Sequence, residues 1–418
     1  MHNGFLKTLE DVLDFYAGGG GRGRGLNVPL QDDKVRQFQL TLDEKADIIA
    51  FVGALTDASA LPEVPGRVPS GLPVVARVKG PAAAVAAAAP PTSSAPSGVI
   101  PDARPLTIDV HKGERIQDAA DKAGRGGRVR VHPGAYHENV LVIHHDVTIE
   151  GVADGSQRPI LDGRGELADG IAAIGNGFTV SGLEIRNYQG NGIVVHGAKD
   201  VTFRDLVLVN PGLYGVYPVE CDGVLVEKCT VSGARDAGIY VGQSRRIVVR
   251  GTAVSGNVAG IEIENSVGAL VEGNHVHGNT GGILVFVLPF NPSKLGSDTR
   301  VIHNRVIGNN TPNFAAPGAT VASVLKGTGI LVLAADRTEV SENEIADNGT
   351  YGIAVNALSV MYPQETPLDV DPSADGTRIH SNTLRANGLA PDERLEKKFQ
   401  LPGRALIWDG TGKGNVWH

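Results

Sequence analysis

The sequence predicts an all-β chain built as a right-handed parallel β-helix solenoid of about 22–23 residues per coil. Three observations carry this. A glycine followed by an aliphatic residue recurs at Gly170, Gly192, Gly215, Gly238, Gly260, Gly282, Gly329 and Gly352, with spacings of 22, 23, 23, 22, 22, 47 and 23. Each repeat also holds alternating runs such as "DVTFRDLVLVN" and "GVLVEKCTVSG", the period-two pattern of short strands. Finally, 55 glycines and only 5% aromatic residues suit stacked strands and tight turns. The spacing of 47 equals two coils, or one coil plus an insertion. A solenoid also accommodates 418 residues in few domains, because it lengthens without deepening its core.

Taken in order, the chain divides into three regions. Residues 1–57 predict a short α-helical segment. Its first helix presents Leu6, Leu9, Val12, Leu13 and Tyr16 on one face, with Thr8 as cap. A second helix begins at "TLDE", where Thr41 and Glu44 form a capping box, and continues through Ile48, Ile49, Val52 and Leu55. Residues 58–104 are a Pro/Ala-rich flexible linker. Its "PAAAVAAAAPPTSSAPS" is too rich in proline for a membrane span. Residues 105–418 are the β-helix. They open with "TIDVHKGERIQDAADKAGRGGRVRVHPGAYHENVLV", which reads strand, helix, strand. The helix around 114–123 is expected to lie over the first coil, because a bare solenoid end is an open sheet edge. At the other end "RALIWDGTGKGNVWH" is expected to close the stack with Trp408 and Trp417.

Identical positions on successive coils form ladders about 4.8 Å apart. Asn274/Asn279, Asn304/Asn309, Asn343/Asn348 and Asn382/Asn387 form such pairs, each five apart. Stacked asparagines at turns bond backbone and one another and tolerate left-handed conformations, so they are expected to hold turns and not to bind substrate. The two cysteines, Cys221 and Cys229, lie eight residues apart along extended chain. That separation disfavours a disulfide and predicts a buried thiol at Cys229. A net charge of −8 argues against nucleic acid as partner. No run of about 20 apolar residues predicts a membrane span, and no signal peptide opens at Met1.

Two stretches resemble known families. "MHNGFLKTLEDVLDFYAGGG" with "LTLDEKADIIAFVGALTD" resembles the C-terminal end of di-haem cytochrome c peroxidase and MauG-like proteins. The resemblance places Tyr16 where those proteins carry an axial haem ligand. Haem attachment needs Cys-x-x-Cys-His, which this sequence lacks, so this chain alone is expected to carry no haem. The region 105–388, through "GLYGVYPVECDGVLVE", "DAGIYVGQSRRIVVR", "AGIEIENSVGALVEGN", "NTGGILVF" and "NNTPNFAAPG", resembles parallel β-helix proteins found beside, or fused to, di-haem c-type proteins. That resemblance implies a periplasmic or extracellular setting. It makes residues 1–57 a remnant of a neighbouring haem domain.

The register maps candidate site residues. After each repeat glycine the first and third residues are expected to point inward, the second and fourth outward. The outward second position reads Val194, Tyr217, Tyr240, Glu262, Leu284, Leu331 and Ala354. The fourth adds His196 and Glu264; the next adds Glu220, Gln243 and Asn265; Asp236 precedes "AGIYV". Tyrosines flanked by carboxylates and amides on a long flat strand face suit a linear polysaccharide, rings on sugar faces and polar groups on hydroxyls. The candidate substrate-binding set is Tyr217, Glu220, Asp236, Tyr240, Gln243, Glu262 and Glu264. Glu220, Glu262 and Glu264 would also suit acid–base chemistry or a Ca²⁺ ion. The plain alternative is solvated surface decoration. "LPFNPSKLGSDTR" and "NTPNFAAPGATVASVLKG" depart furthest from the period and are candidates to wall a groove. "EKKFQLPGR" reads as a solvated basic loop. His275 and His277 share an outward face, with no third ligand to make a metal site.

These readings lead to an exported polysaccharide-binding module. The alternatives are a scaffold for a di-haem c-type partner, comparable to the β-helix protein that assists copper-site assembly in nitrous oxide reductase, and a polysaccharide lyase, epimerase or hydrolase. No phosphate-cradling loop or nucleophile elbow is present.

Overall fold

The computed structural model describes residues 9–20, 35, 37–41, 44–45, 48–49, 105–363, 365–399 and 402–418. Two compact units, Met1–Pro96 and Ser97–His418, divide the chain.

In the first unit a helix, Leu9–Ala17, ends where Gly19 turns left-handed at φ +86°. Gly18 bridges antiparallel to Gln37. The capping box forms: the Thr41 N–H donates to Glu44 Oε2 at 2.8 Å and the Glu44 N–H to Thr41 Oγ1 at 3.2 Å. Tyr16 is about half exposed. The expectations for Leu6, Thr8, Val52, Leu55 and the linker 58–104 lie outside the described residues.

The second unit is a right-handed parallel β-helix. Coils of alternating short strands can bury their apolar face only against the coils above and below, and here each coil adds one strand to each of three parallel sheets. The sheets hold 12, 10 and 10 strands among the described residues. Pairing is in register. Ile239, Ile261, Ile283, Ile330 and Ile353 face one another on successive strands, all fully buried inside the coil. Gly281–Phe286 pairs directly with Thr328–Leu333, so the spacing of 47 is one coil plus an insertion.

The helix over the first coil is Ile116–Ala123, burying Ile116, Ala119, Ala120 and Ala123. Glu138 secures its start from a distant strand connection. Its carboxylate accepts the Ile116 N–H at 2.8 Å and the Gln117 N–H at 3.1 Å, where the helix dipole favours an anion. At the far end Arg404–Trp408 and Val416–Trp417 are the last strands of their sheets, and the Trp408 and Trp417 rings meet edge to face at 4.8 Å.

The asparagine ladders form as two columns. Nδ2 of Asn279, Asn309 and Asn348 each donates to Oδ1 of the next asparagine, at 2.9, 3.0 and 3.0 Å. The parallel column through Asn274, Asn304, Asn343 and Asn382 repeats this at 3.0, 3.0 and 2.9 Å. Each Oδ1 also accepts the backbone N–H of the asparagine before it, as Asn309 does from Asn279 at 3.2 Å. One detail differs from the sequence reading. The left-handed residue is the one preceding each asparagine, as at His303 (φ +56°) and Asp347 (φ +57°), while the asparagines themselves bond across coils. Asn257 extends one column a coil further, donating to Asn279 at 2.9 Å.

Both cysteines are free and buried. Burial pushes the Cys229 thiol up to about 12. The "EKKFQLPGR" stretch departs from its expectation: 393–399 is a helix, Glu393–Phe399, that buries Leu395, and Arg404 begins a strand. Gln400 and Leu401 lie outside the described residues.

Candidate functional site

The outward second positions line up as the register requires. Val194 pairs with Tyr217, and Tyr240, Glu262, Leu284, Leu331 and Ala354 follow one another on adjacent strands. Their expected exposure is wrong. Tyr240, Glu262 and Glu264 are 5%, 4% and 9% exposed, so this face is covered. The reason is the insertion after Phe286, which folds back over the sheet.

Asn265 and Asn291 hold that insertion down. Asn265 Nδ2 donates to the carbonyls of Leu288 (2.9 Å) and Ser293 (2.8 Å), and its Oδ1 accepts the Leu288 N–H at 2.8 Å. Asn291 Nδ2 donates to Glu264 Oε1 at 2.6 Å. The later part of the insertion is braced by Asn313, which donates to the carbonyls of Val321 and Val324 at 3.0 and 2.9 Å. The result is a partly enclosed cavity of about 310 Å³ over the sheet, with Leu288, Val321, Val324 and Met361 as its cover.

One end of the cavity is aromatic. Tyr214 and Tyr217 stack with ring centroids 4.3 Å apart and planes 4° apart, and Tyr240 tilts against them at 5.0 and 4.9 Å. Tyr240 lies along its own strand because the residue two further on is glycine. A β-carbon at Gly242 would collide with the Tyr240 ring and hydroxyl. Laid flat, Tyr240 donates its hydroxyl to Glu264 Oε2 at 2.6 Å and accepts from Gln243 Nε2 at 3.3 Å.

Beside the rings sit three acids, Asp236, Glu262 and Glu264, and among the described residues no Lys, Arg or His lines the cavity. Burial, reinforced by the charges of Asp236 and Glu264, holds the Glu262 carboxyl well above the ordinary glutamate range. Burial also lifts Asp236 to about 6, opposed by the Tyr214 hydroxyl and reinforced by Glu264. Glu264 is raised by burial against the donors Tyr240 and Asn291. The Tyr214 and Tyr240 hydroxyls are raised, chiefly by burial, and stay protonated as donors. The Glu262 carboxyl makes no hydrogen bond to another described residue, yet it lines the cavity. Its protonated form, which burial favours, presents one donor and one acceptor to whatever enters.

The structure therefore brings together Tyr217, Asp236, Tyr240, Glu262 and Glu264, with Gln243 as a support for Tyr240. Glu220 stands apart. It occupies a left-handed turn position (φ +54°), is exposed, and faces His196 at 3.7 Å. Gln243 and Asn265 hold the same turn on the next coils, at φ +47° and +44°. His275 and His277 flank the buried Val276 with rings 4.4 Å apart. Among the described residues no three His, Cys, Asp or Glu side chains are gathered to hold a metal ion. Sequence reasoning missed Tyr214, whose signal was an aromatic directly before a repeat glycine, and Asn291 and Met361, which lie in aperiodic segments.

Comparison with known proteins accords with this architecture. A family model described as "right handed beta helix region" matches residues 169–359. The alginate lyase of Paenibacillus sp. str. FPU-7 superposes with a TM-score of 0.53 over 74% of this chain and 99% of its own, at 15% identity. Cytochrome-c peroxidase IdrP1 of Denitromonas iodatirespirans is 41% identical over 70 residues, and that of Pseudomonas sp. (strain SCT) 37% identical over 71. The chain spans 17% of the length of these two relatives.

Proposed function

We propose that the second unit is an exported carbohydrate-binding module whose cavity takes an uncharged segment of a polysaccharide or oligosaccharide. The observation that carries this reading is Glu262. Its carboxyl is buried, bonded to no other described side chain and held well above the ordinary glutamate range, and it stands beside a cluster of three tyrosine rings. A sugar supplies what this arrangement lacks: hydroxyls for the carboxylic acid and C–H faces for the rings. Asp236, which ionises above about pH 6 with no cation among the described residues lining the cavity, would repel a polyuronate, so the uronate chemistry of the alginate lyase is not carried over with the fold. A carboxylic acid that holds its proton more tightly than an ordinary glutamate is also suited to donate it to a glycosidic oxygen, which makes Glu262 the residue to examine for hydrolysis.

A glycan array probed with the purified chain tests this. Neutral glycans are expected to bind and alginate or pectate to fail. The Tyr217→Ala/Tyr240→Ala double variant is expected to lose binding while its circular-dichroism melt stays cooperative. Undiminished binding by that folded variant overturns the reading.

A second reading has its own observation. The partial match to cytochrome-c peroxidases favours a di-haem c-type protein as a partner. Envelope-extract capture that never recovers a haem protein would remove it.

A further inference from the structure

The cavity over the acids shares part of its wall with a neighbour. Val324, Leu331, Leu333 and Met361 also wall a second cavity of about 320 Å³, further along the same sheet face. The polarity of the two differs. Asp236, Glu262 and Glu264 line the first, whereas Leu325, Tyr351, Val360, Leu395 and Ile407 line the second.

The second cavity does contain Arg394 and Asp409, but neither is free to meet a ligand charge. Arg394 donates to Asp392 Oδ2 at 2.9 Å and to the carbonyls of Ala322 (3.0 Å) and Val324 (2.8 Å). Asp409 accepts the Ala357 N–H at 2.6 Å on one oxygen and the Thr411 N–H at 2.9 Å on the other. The Tyr351 hydroxyl is bonded by Thr328 at 3.0 Å. The chamber therefore offers mostly apolar surface, charged groups already committed to other partners, and one side-chain amide, Asn356, able to meet an uncharged polar atom. A free fatty acid would find no uncommitted cation for its carboxylate.

We propose that the ligand is an amphiphile: an uncharged sugar head seated among Tyr214, Tyr240 and Glu262, with Tyr217 stacked against the two rings, and an uncharged alkyl chain running past Val324 and Met361 into the second chamber. The inference rests on the carbohydrate reading of the first cavity and adds the chain. Burying a hydrocarbon chain there gains affinity in proportion to the methylenes removed from water. The head group fixes orientation, and the residues common to both cavities, Val324, Leu331, Leu333 and Met361, set the direction of the tail.

The test is calorimetric titration of the full chain with n-alkyl β-maltosides and β-glucosides of increasing length, below their micelle concentrations, against maltose and methyl β-glucoside. Affinity is expected to rise about three- to fourfold per methylene until the chamber is full, and then to plateau. Val360→Asp and Leu325→Asp lie in partly exposed insertion segments outside the coils. They are expected to abolish the gain from the chain while leaving the affinity for the short head group unchanged. If the short sugars bind and chain length has no effect, the amphiphile inference fails and the carbohydrate reading stands. If the gain persists undiminished in both folded variants, the chain binds elsewhere and the inference fails. If neither short nor long glycosides bind, the carbohydrate reading fails and this inference falls with it.

Discussion

Two of the places where the solenoid buries polar side chains are built oppositely. Along one turn, asparagines stack coil upon coil with donors and acceptors matched: Asn309 accepts twice from Asn279 and donates to Asn348 and to the Val276 carbonyl. On the face around Tyr240, stacked polar groups are equally buried, yet Glu262 is left without a partner and neighbouring acids push one another toward the neutral form. Burying a polar group costs little when its bonds are remade and several kcal/mol when they are not. The first column thus stabilises the stack, while the second region is sustained against its own cost. Burial alone does not separate structure from site; completeness of hydrogen bonding does.

The largest expected effect comes from breaking the complete column. Asn309→Ala strands the Asn279 backbone N–H, removes one acceptor from its amide, leaves Asn348 Oδ1 with the residue-309 N–H alone, and should cost roughly 2–4 kcal/mol in denaturant unfolding. An unchanged midpoint would mean that the column is dispensable. The opposite sign is expected at the incomplete site. Glu262→Gln removes the need to protonate a carboxyl that ionises freely in the unfolded chain, and should raise stability at pH 7 while weakening ligand binding. Wild-type stability should follow pH accordingly. The folded-state value of about 6 for Asp236 lies above its unfolded value, so the folded state holds the proton more tightly. Stability is then fully present below about pH 4 and declines as pH rises through about 6. Asp236→Asn should flatten that decline in pH-dependent melts. The smallest effect is Tyr240→Phe, which deletes one donor to Glu264 and should cost about 1–2 kcal/mol. It should also lift the Glu264 carboxyl further, visible as a shifted carboxyl titration by NMR.

Much of this architecture is legible in the chain itself because a solenoid writes each coil in contiguous residues. The glycine spacing marks the isoleucine ladder, the asparagine pairs mark their own columns, and "TLDE" marks its capping box. The direction of Tyr240 and Glu262 is legible for the same reason, since alternation decides which side of a strand a side chain leaves. Their burial is not. It depends on where residues 288–327 travel, and that path is set by long-range bonds such as Asn291 to Glu264 and Asn265 to the Leu288 and Ser293 carbonyls. No period announces such contacts. The helix Glu393–Phe399 escaped for a related reason: it holds its place through Arg394 bonds to carbonyls some 70 residues earlier.

The amide-to-amide bonds of the asparagine columns all run one way. Each amide oxygen accepts from the asparagine of the preceding coil and each amide nitrogen donates to that of the next, so the turn is a directional, self-templating surface. Duplicating one 22-residue unit, from one asparagine to the next as between Asn257 and Asn279, would present each new amide with the partner it already has. Such a copy leaves the lattice of the stack intact while moving the acid end and the greasy end of the trough one rung apart. Gene duplication could therefore retune the length of the recognised molecule without redesigning either end.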